Sequence, residues 1–283
     1  MANMIFALYL TLDFYKIMLK HLRSLLLVCS GSILLSAQHV QAQAVLASSP
    51  YVESFDNIGN GLPGGFQVFT GATAGSSGTA ATLTTAATAW NNTSGAFKNF
   101  ASADALQSSA TSANQSASTD RALGVRQTGS LGDPGAAFVF QVTNTINKTG
   151  FRLSFDLQSL DISSPRSATW KVQYGIGANP SSFTDAPTIT DTSTHASLTT
   201  GGSSFFNDSI FVDFGNTLDN VNDVVTIRIV TLAASTGSGN RPSSAIDNFS
   251  LSWTDVDTNA PALGITNANS QNISTLNFPT TSI

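Results

Sequence analysis

Residues 136–157 read AAFVFQVTNTINKTGFRLSFDL, and their spacing decides the fold. Phe138, Phe140 and Val142 recur at every second position; after a Thr/Asn/Gly-rich turn the period returns in Phe151, Leu153, Phe155 and Leu157. In extended chain, alternate side chains point to opposite faces, so each set predicts the buried face of a strand. The pattern continues in Trp170, Val172 and Tyr174, then in Val225, Ile227 and Ile229, then in Phe249, Leu251 and Trp253. No stretch beyond residue 44 keeps an apolar period of 3.6, so few helices are expected. Short alternating runs bounded by Gly, Asn, Asp and Pro predict an all-β fold, an antiparallel two-sheet jelly-roll sandwich. The intervening Arg152, Asp156, Lys171, Gln173 and Arg228 fall on the opposite, polar face, which is the candidate ligand surface.

Outward from this core, residues 70–119 change style. GATAGSSGTAATLTTAATAW is nearly all small side chains, too poor in apolar surface for a core of its own. It is expected to be a surface excursion with a strand or two, pinned by Trp90, Phe97 and Phe100. Trp90 is out of phase with any clean alternation and stands beside Asn91 and Asn92. It is therefore the aromatic to test as a sugar-stacking group, with anchoring of its own loop as the plainer role.

The N-terminal end reads as a secretory leader. Lys16, Lys20 and Arg23 precede an apolar core, Leu25–Leu35, and Ala42-Gln43-Ala44 is a small-residue exit. The apolar run is too short for a helix that needs roughly 20 residues to cross a bilayer. Residues 1–44 are thus expected to be a signal peptide cut after Ala44, with Ala42 as the alternative exit and Met18 as an alternative start. Val28 before Cys29 spoils a lipobox. Residues 45–258 are expected to form the sandwich module; DVDTNAPA (255–262) is linker-like, and 259–283 reads as the linker and the opening of a truncated Ig-like domain. The expected location is secreted or cell-surface.

Cys29 is the only cysteine, so the exported module has neither a disulfide nor a Cys-ligated metal. Removing Asp13 and the three leader cations from seventeen acidic and twelve basic groups leaves a formal net charge of −7. That balance argues against a nucleic-acid partner. Catalytic groups are scarce: Glu53 is the only glutamate, His195 is the only histidine after the leader, and no serine sits in a G-x-S-x-G elbow. An Asp pair could still serve a glycosidase. Gly59–Gly64 matches GxGxxG in form but runs into FQVF, a strand pattern, so a tight turn is expected there.

Three strings, VESFDNIGNGLPGGF (52–66), STDRALGVRQTGSLGDPGAAFVF (118–140) and SGNRPSSAIDNFSLSW (238–253), resemble an N-terminal β-sandwich module of large secreted Bacteroidetes-type surface proteins. The resemblance covers about residues 50–254 and implies a jelly roll of the laminin-G or carbohydrate-binding type, with no firmly assigned activity. It also implies a structural calcium ion joining the first and last strands, for which Glu53, Asp56 and Asp247 are the expected ligands. Hard oxygen donors suit that ion. A second acidic run, Asp255, Asp257 and Asn259, lacks the glycine and glutamate of an EF-hand loop. The function expected is a non-catalytic module that binds an extracellular glycan or mediates surface adhesion. The alternatives are a structural spacer and a secreted hydrolase.

Overall fold

The computed structural model describes residues 42–191 and 198–257. His195 and residues 259–283 lie outside them. Two sheets face each other. The larger runs β12 (Thr188–Asp191), β14 (Phe206–Asp213), β8 (Lys148–Ser159), β16 (Ser243–Asp255), β6 (Arg121–Arg126), β5 (Phe97–Ala101) and β4 (Leu83–Thr88), with β1 (Tyr51–Glu53) also on β16. The smaller runs β11 (Thr184–Asp185), β10 (Lys171–Ile176), β15 (Val225–Val230), β7 (Ala137–Val142), β2 (Phe66–Thr70) and β3 (Thr79–Ala80). A short pair, β9 (Ser167–Thr169) with β13 (Thr199–Gly201), stands apart.

From β6 to β16 the chain passes repeatedly between the two large sheets, with β10–β11 and β12–β14 as neighbours within one sheet; this is the jelly-roll habit and the reason the alternating runs bury one face each. All five expected apolar sets lie in one core cluster between the sheets, with Tyr174 packed at its edge. Phe66, Phe140 and Phe249 interlock there at ring-centroid distances of 4.8–5.0 Å, and Phe138 stacks on Trp170 at 5.3 Å. Pairing is antiparallel except for β4 against β5, which is parallel. The GxGxxG string is a turn: one 3-10 turn at Ile58–Asn60, then Gly61 at φ 124° before β2.

The small-residue excursion differs from expectation in how much it buries. β5 is an internal strand of the larger sheet; Phe97 faces the main core and Phe100 the opposite side. There Phe100, Trp90, Ala122 and Ala245 form a second apolar layer on the outer face of the larger sheet. Small side chains suit this role because they let the cover lie close to the sheet. A Cβ on Gly124 would come within 2.0 Å of the Phe100 ring. The cover also carries a helix that the periodicity did not show, α1 (Ser112–Ala117), closed by a capping box between Thr111 and Asn114.

Candidate functional site

Beyond the cover, the outer face of the larger sheet lies open across β14, β8, β16 and β1. Register places Phe211, Ser154, Ser250 and Val52 in one row across these strands. The next row is Asp213, Arg152 and Ser252. Three serines flanked by larger neighbours leave a groove of about 360 Å³, lined by Arg152, Ser154, Phe211, Asp213, Ser250 and Ser252 among others. Phe211 is 48 % exposed, on a face where β-sheet alternation sends Val212 into the core. Arg152 Nε lies 3.1 Å from Asp213 Oδ2. That contact and the Gly215 N–H hold the Asp213 carboxyl below the usual carboxylate range, the Gly215 bond contributing most.

The expected polar face is not one surface. Arg152 and Asp156 belong to the larger sheet, whereas Lys171, Gln173 and Arg228 belong to the outer face of the smaller one. Alternation reports which way a side chain points but not which sheet its strand joins, hence the merger of two faces. Lys171 is exposed and paired with Asp185 at 2.8 Å. Arg228 is fully buried: Nε donates to Gln173 Oε1, Nη1 to Ser76 O and Nη2 to Thr73 O, at 2.8, 2.9 and 2.9 Å. The Phe183 ring lies 3.5 Å from its guanidinium carbon. Arg228 and Gln173 therefore fasten two loops to the sheet and are closed to a ligand.

Trp90 is likewise a fastener rather than a stacking platform. It is 3 % exposed, its Nε1 donates to Ala101 O at 2.9 Å, and its own carbonyl accepts from Ser243 Oγ and Arg126 Nη1. The aromatic that the sequence reading missed is Phe211. It sits in FNDSIFVD, where Phe206, Ile210 and Val212 carry the inward phase and Phe211 stands out of it. That out-of-phase aromatic was the available signal.

Along the same face from Ser154 comes Asp156, which accepts from Ser209 Oγ at 2.7 Å and Asn248 Nδ2 at 2.9 Å. Asn248 adopts φ 48° in a bulge of β16, and its Nδ2 also donates to Asp104 Oδ2 at 2.8 Å. Asp104 also accepts from Asn207. Beneath lies Asp247, 1 % exposed, accepting from Ser102 Oγ at 2.6 Å and from Asn248 N at 2.8 Å. Burial pushes its carboxyl up to about 8, with Asp120 and Asp104 adding to the rise and the two hydrogen bonds opposing it.

The three carboxylates expected to hold calcium do not gather. Glu53 accepts from Phe55 N at 2.8 Å, a local turn-shaping bond, while Asp56 accepts from Ser54 Oγ at 2.9 Å and ties the segment to β6 by accepting from Arg121 N at 3.0 Å. Asp247 has Asp104 and Asp120 for acidic neighbours instead. Among the described residues no group of three or more His, Cys, Asp or Glu side chains is arranged to hold a metal ion. Strand adjacency was read correctly, since β1 pairs with β16, but Glu53 lies opposite Phe249 and not Asp247. In the second acidic run, Asp255 accepts from Lys148 Nζ at 2.7 Å.

No protein-family model matches the chain, and no curated protein matches it in sequence. Solved structures resemble it at a distance. A CBM22 xylan-binding domain from Paenibacillus barcinonensis is 10 % identical, with 77 % of this chain and 99 % of that one covered at a TM-score of 0.39. A cleaved adhesin domain of Lys-gingipain from Porphyromonas gingivalis is 13 % identical, with 72 % and 98 % covered at 0.36. The xylan-binding module CBM15 is 9 % identical, with 74 % and 99 % covered at 0.35. No helix among the described residues is long and apolar enough to cross a membrane. At such distances the assignment of a two-sheet antiparallel sandwich rests on the strand order itself.

Proposed function

We propose that this chain is a secreted, non-catalytic module that holds an extracellular polysaccharide in the groove beside Phe211. The observation that carries the reading is a half-exposed aromatic ring set on a serine-floored groove of the open sheet face. The apolar face of a sugar ring covers such a ring, while its hydroxyls meet Ser154, Ser250, Arg152 and Asp213. Few convergent polar groups around one apolar contact is the common composition of a ligand site. The leader composition supports export. A pure spacer needs neither groove nor exposed aromatic, so the same observation weighs against it.

Affinity electrophoresis against a panel of soluble polysaccharides tests the proposal. Retardation by at least one of them, reduced tenfold or more in Phe211→Ala with an unchanged melting temperature, is the expected result. Equal retardation of both proteins removes the groove from the function.

One observation favours a second reading, hydrolysis. Asp104 and Asp156 accept from the same Asn248 nitrogen at 2.8 and 2.9 Å, so two carboxylates are held side by side, and a carboxylate pair is what glycosidases use. The one carboxyl pushed far up, as a general acid requires, is Asp247, and it is sealed beneath Ser102. Release of reducing sugar by the wild type and not by Asp156→Asn would establish this reading over simple binding.

A further inference from the structure

We propose that the groove selects by charge, taking neutral polysaccharides and turning away polyanionic ones such as polyuronates. This rests on the binding reading above. Among the described residues, the charged side chains at and beside the groove are Arg152, Asp213 and Asp156. Arg152 is the one cation lining it among the described residues, and it is already engaged by Asp213. An incoming carboxylate can draw Arg152 away, because exposed ion pairs of this kind are weak. It then stands beside an uncompensated Asp213, with Asp156 two outward-facing positions farther along β8, just past Ser154. Behind Asp156 lies Asp104, tied to it through Asn248. The path along the sheet therefore becomes more negative towards the covered side. The bound anion would meet more negative than positive charge whichever partner Arg152 chose.

A neutral sugar meets the same groups differently. Its hydroxyls donate to Asp213 or Asp156 and accept from Arg152 without breaking a charge balance, and hydrogen bonds to charged groups are the stronger kind. The acids that repel a uronate are thus acceptors for a neutral ring. Since no buried cation among the described residues stands in the groove to reverse the preference, its charge pattern commits it to one class.

The test compares affinity for arabinoxylan, galactomannan and mixed-linkage β-glucan with affinity for polygalacturonate and alginate, at about 0.01 M and about 1 M salt. The Debye length falls from roughly 30 Å to roughly 3 Å between these conditions. The expected result is binding to at least one neutral polymer at low salt, at least tenfold weaker binding to both polyanions, and a gap that narrows at high salt. Asp156→Lys should raise polygalacturonate affinity at low salt relative to the neutral polymer. Polyanion binding equal to or tighter than neutral binding in the wild type overturns the charge selection and leaves the glycan reading standing. An absence of binding to every polymer overturns both. An Asp156→Lys protein that folds, binds the neutral polymer and still discriminates as the wild type does also overturns the selection.

Discussion

Asp247 sits beneath Ser102 with the carboxyls of Asp104 and Asp120 nearby, and burial is the main reason its folded pKa reaches about 8. In the unfolded chain an aspartate titrates near 3.9. Between those values the native state keeps a proton that the unfolded state has released. Stability must then fall as pH rises through this window, by at most about 1.4 kcal/mol per unit. Glu53 and Asp120, also raised chiefly by burial, add the same sign at the lower end. Asp133 and Asp161, held low by Arg241, Arg126 and serine donors, act oppositely, and their contribution is lost only as pH falls below the usual carboxylate range. Lys98, pulled down to about 8 by burial, works above the window. The melting temperature is therefore expected to be higher near pH 5 than near pH 8, and Asp247→Asn should flatten that slope. Parallel slopes in thermal melts of the two proteins would show that Asp247 titrates normally. None of this was legible in AIDNF. Counted back by twos from Phe249, Asp247 would share the buried face; the bulge at Asn248 turns it beside Asp156 on the outer face, and only the fold shows that this part of the face is covered.

The strand elements were legible because each carries its own period of two, and every one of the five apolar sets faces the core. The covering element was not. Its burial is borrowed: small residues of 89–96 and 102–120 bury little alone and gain a buried side only by lying on β5, β6 and β16. Trp90 is the largest side chain in that layer, and Gln115 of the helix α1 accepts from its backbone N–H at 2.8 Å. Trp90→Ala should accordingly cost about 3–5 kcal/mol, the range for deleting a large buried aromatic. Hydrogen exchange should then accelerate in 84–120 before it does in β7 or β15. Trp90→Phe should restore most of the loss, since packing is retained and one hydrogen bond is forfeited. Uniform acceleration across all strands would mean that the cover and the sandwich open as one unit. The candidate site follows the same division. Arg152 and Asp156 were readable from alternation, whereas the groove depends on which strands stand beside β8, a non-local fact absent from any short window.

At the scale of the molecule, the folded unit begins before the expected cut. Ala44 N donates to Gln141 O at 2.8 Å and Thr143 N donates to Ala44 O at 3.0 Å, so Ala44 extends the smaller sheet beside β7. Its methyl is buried, Leu46 after it joins the main core, and Gly65 is bare to admit it: a Cβ there would stand 2.8 Å from the Ala44 Cβ. If the N-terminal stretch is removed as a signal peptide, the peptidase would accept small residues at either exit, so exit composition alone does not choose between Ala42 and Ala44. Folding does distinguish them. A cut after Ala44 removes both hydrogen bonds and the buried methyl. A cut after Ala42 keeps them and gives up only the Ala42 carbonyl bonded to Gly65 N. Mass spectrometry of exported protein should therefore find Gln43 as the first residue. A chain begun at Val45 should be less stable than one begun at Gln43 by about 1–3 kcal/mol, two net hydrogen bonds and one small apolar group. At this size that is a shift of several degrees in the melting temperature. An exported chain that starts at Val45, and melts where the longer one does, would make residues 43–44 a passive remnant rather than a part of the folded sheet.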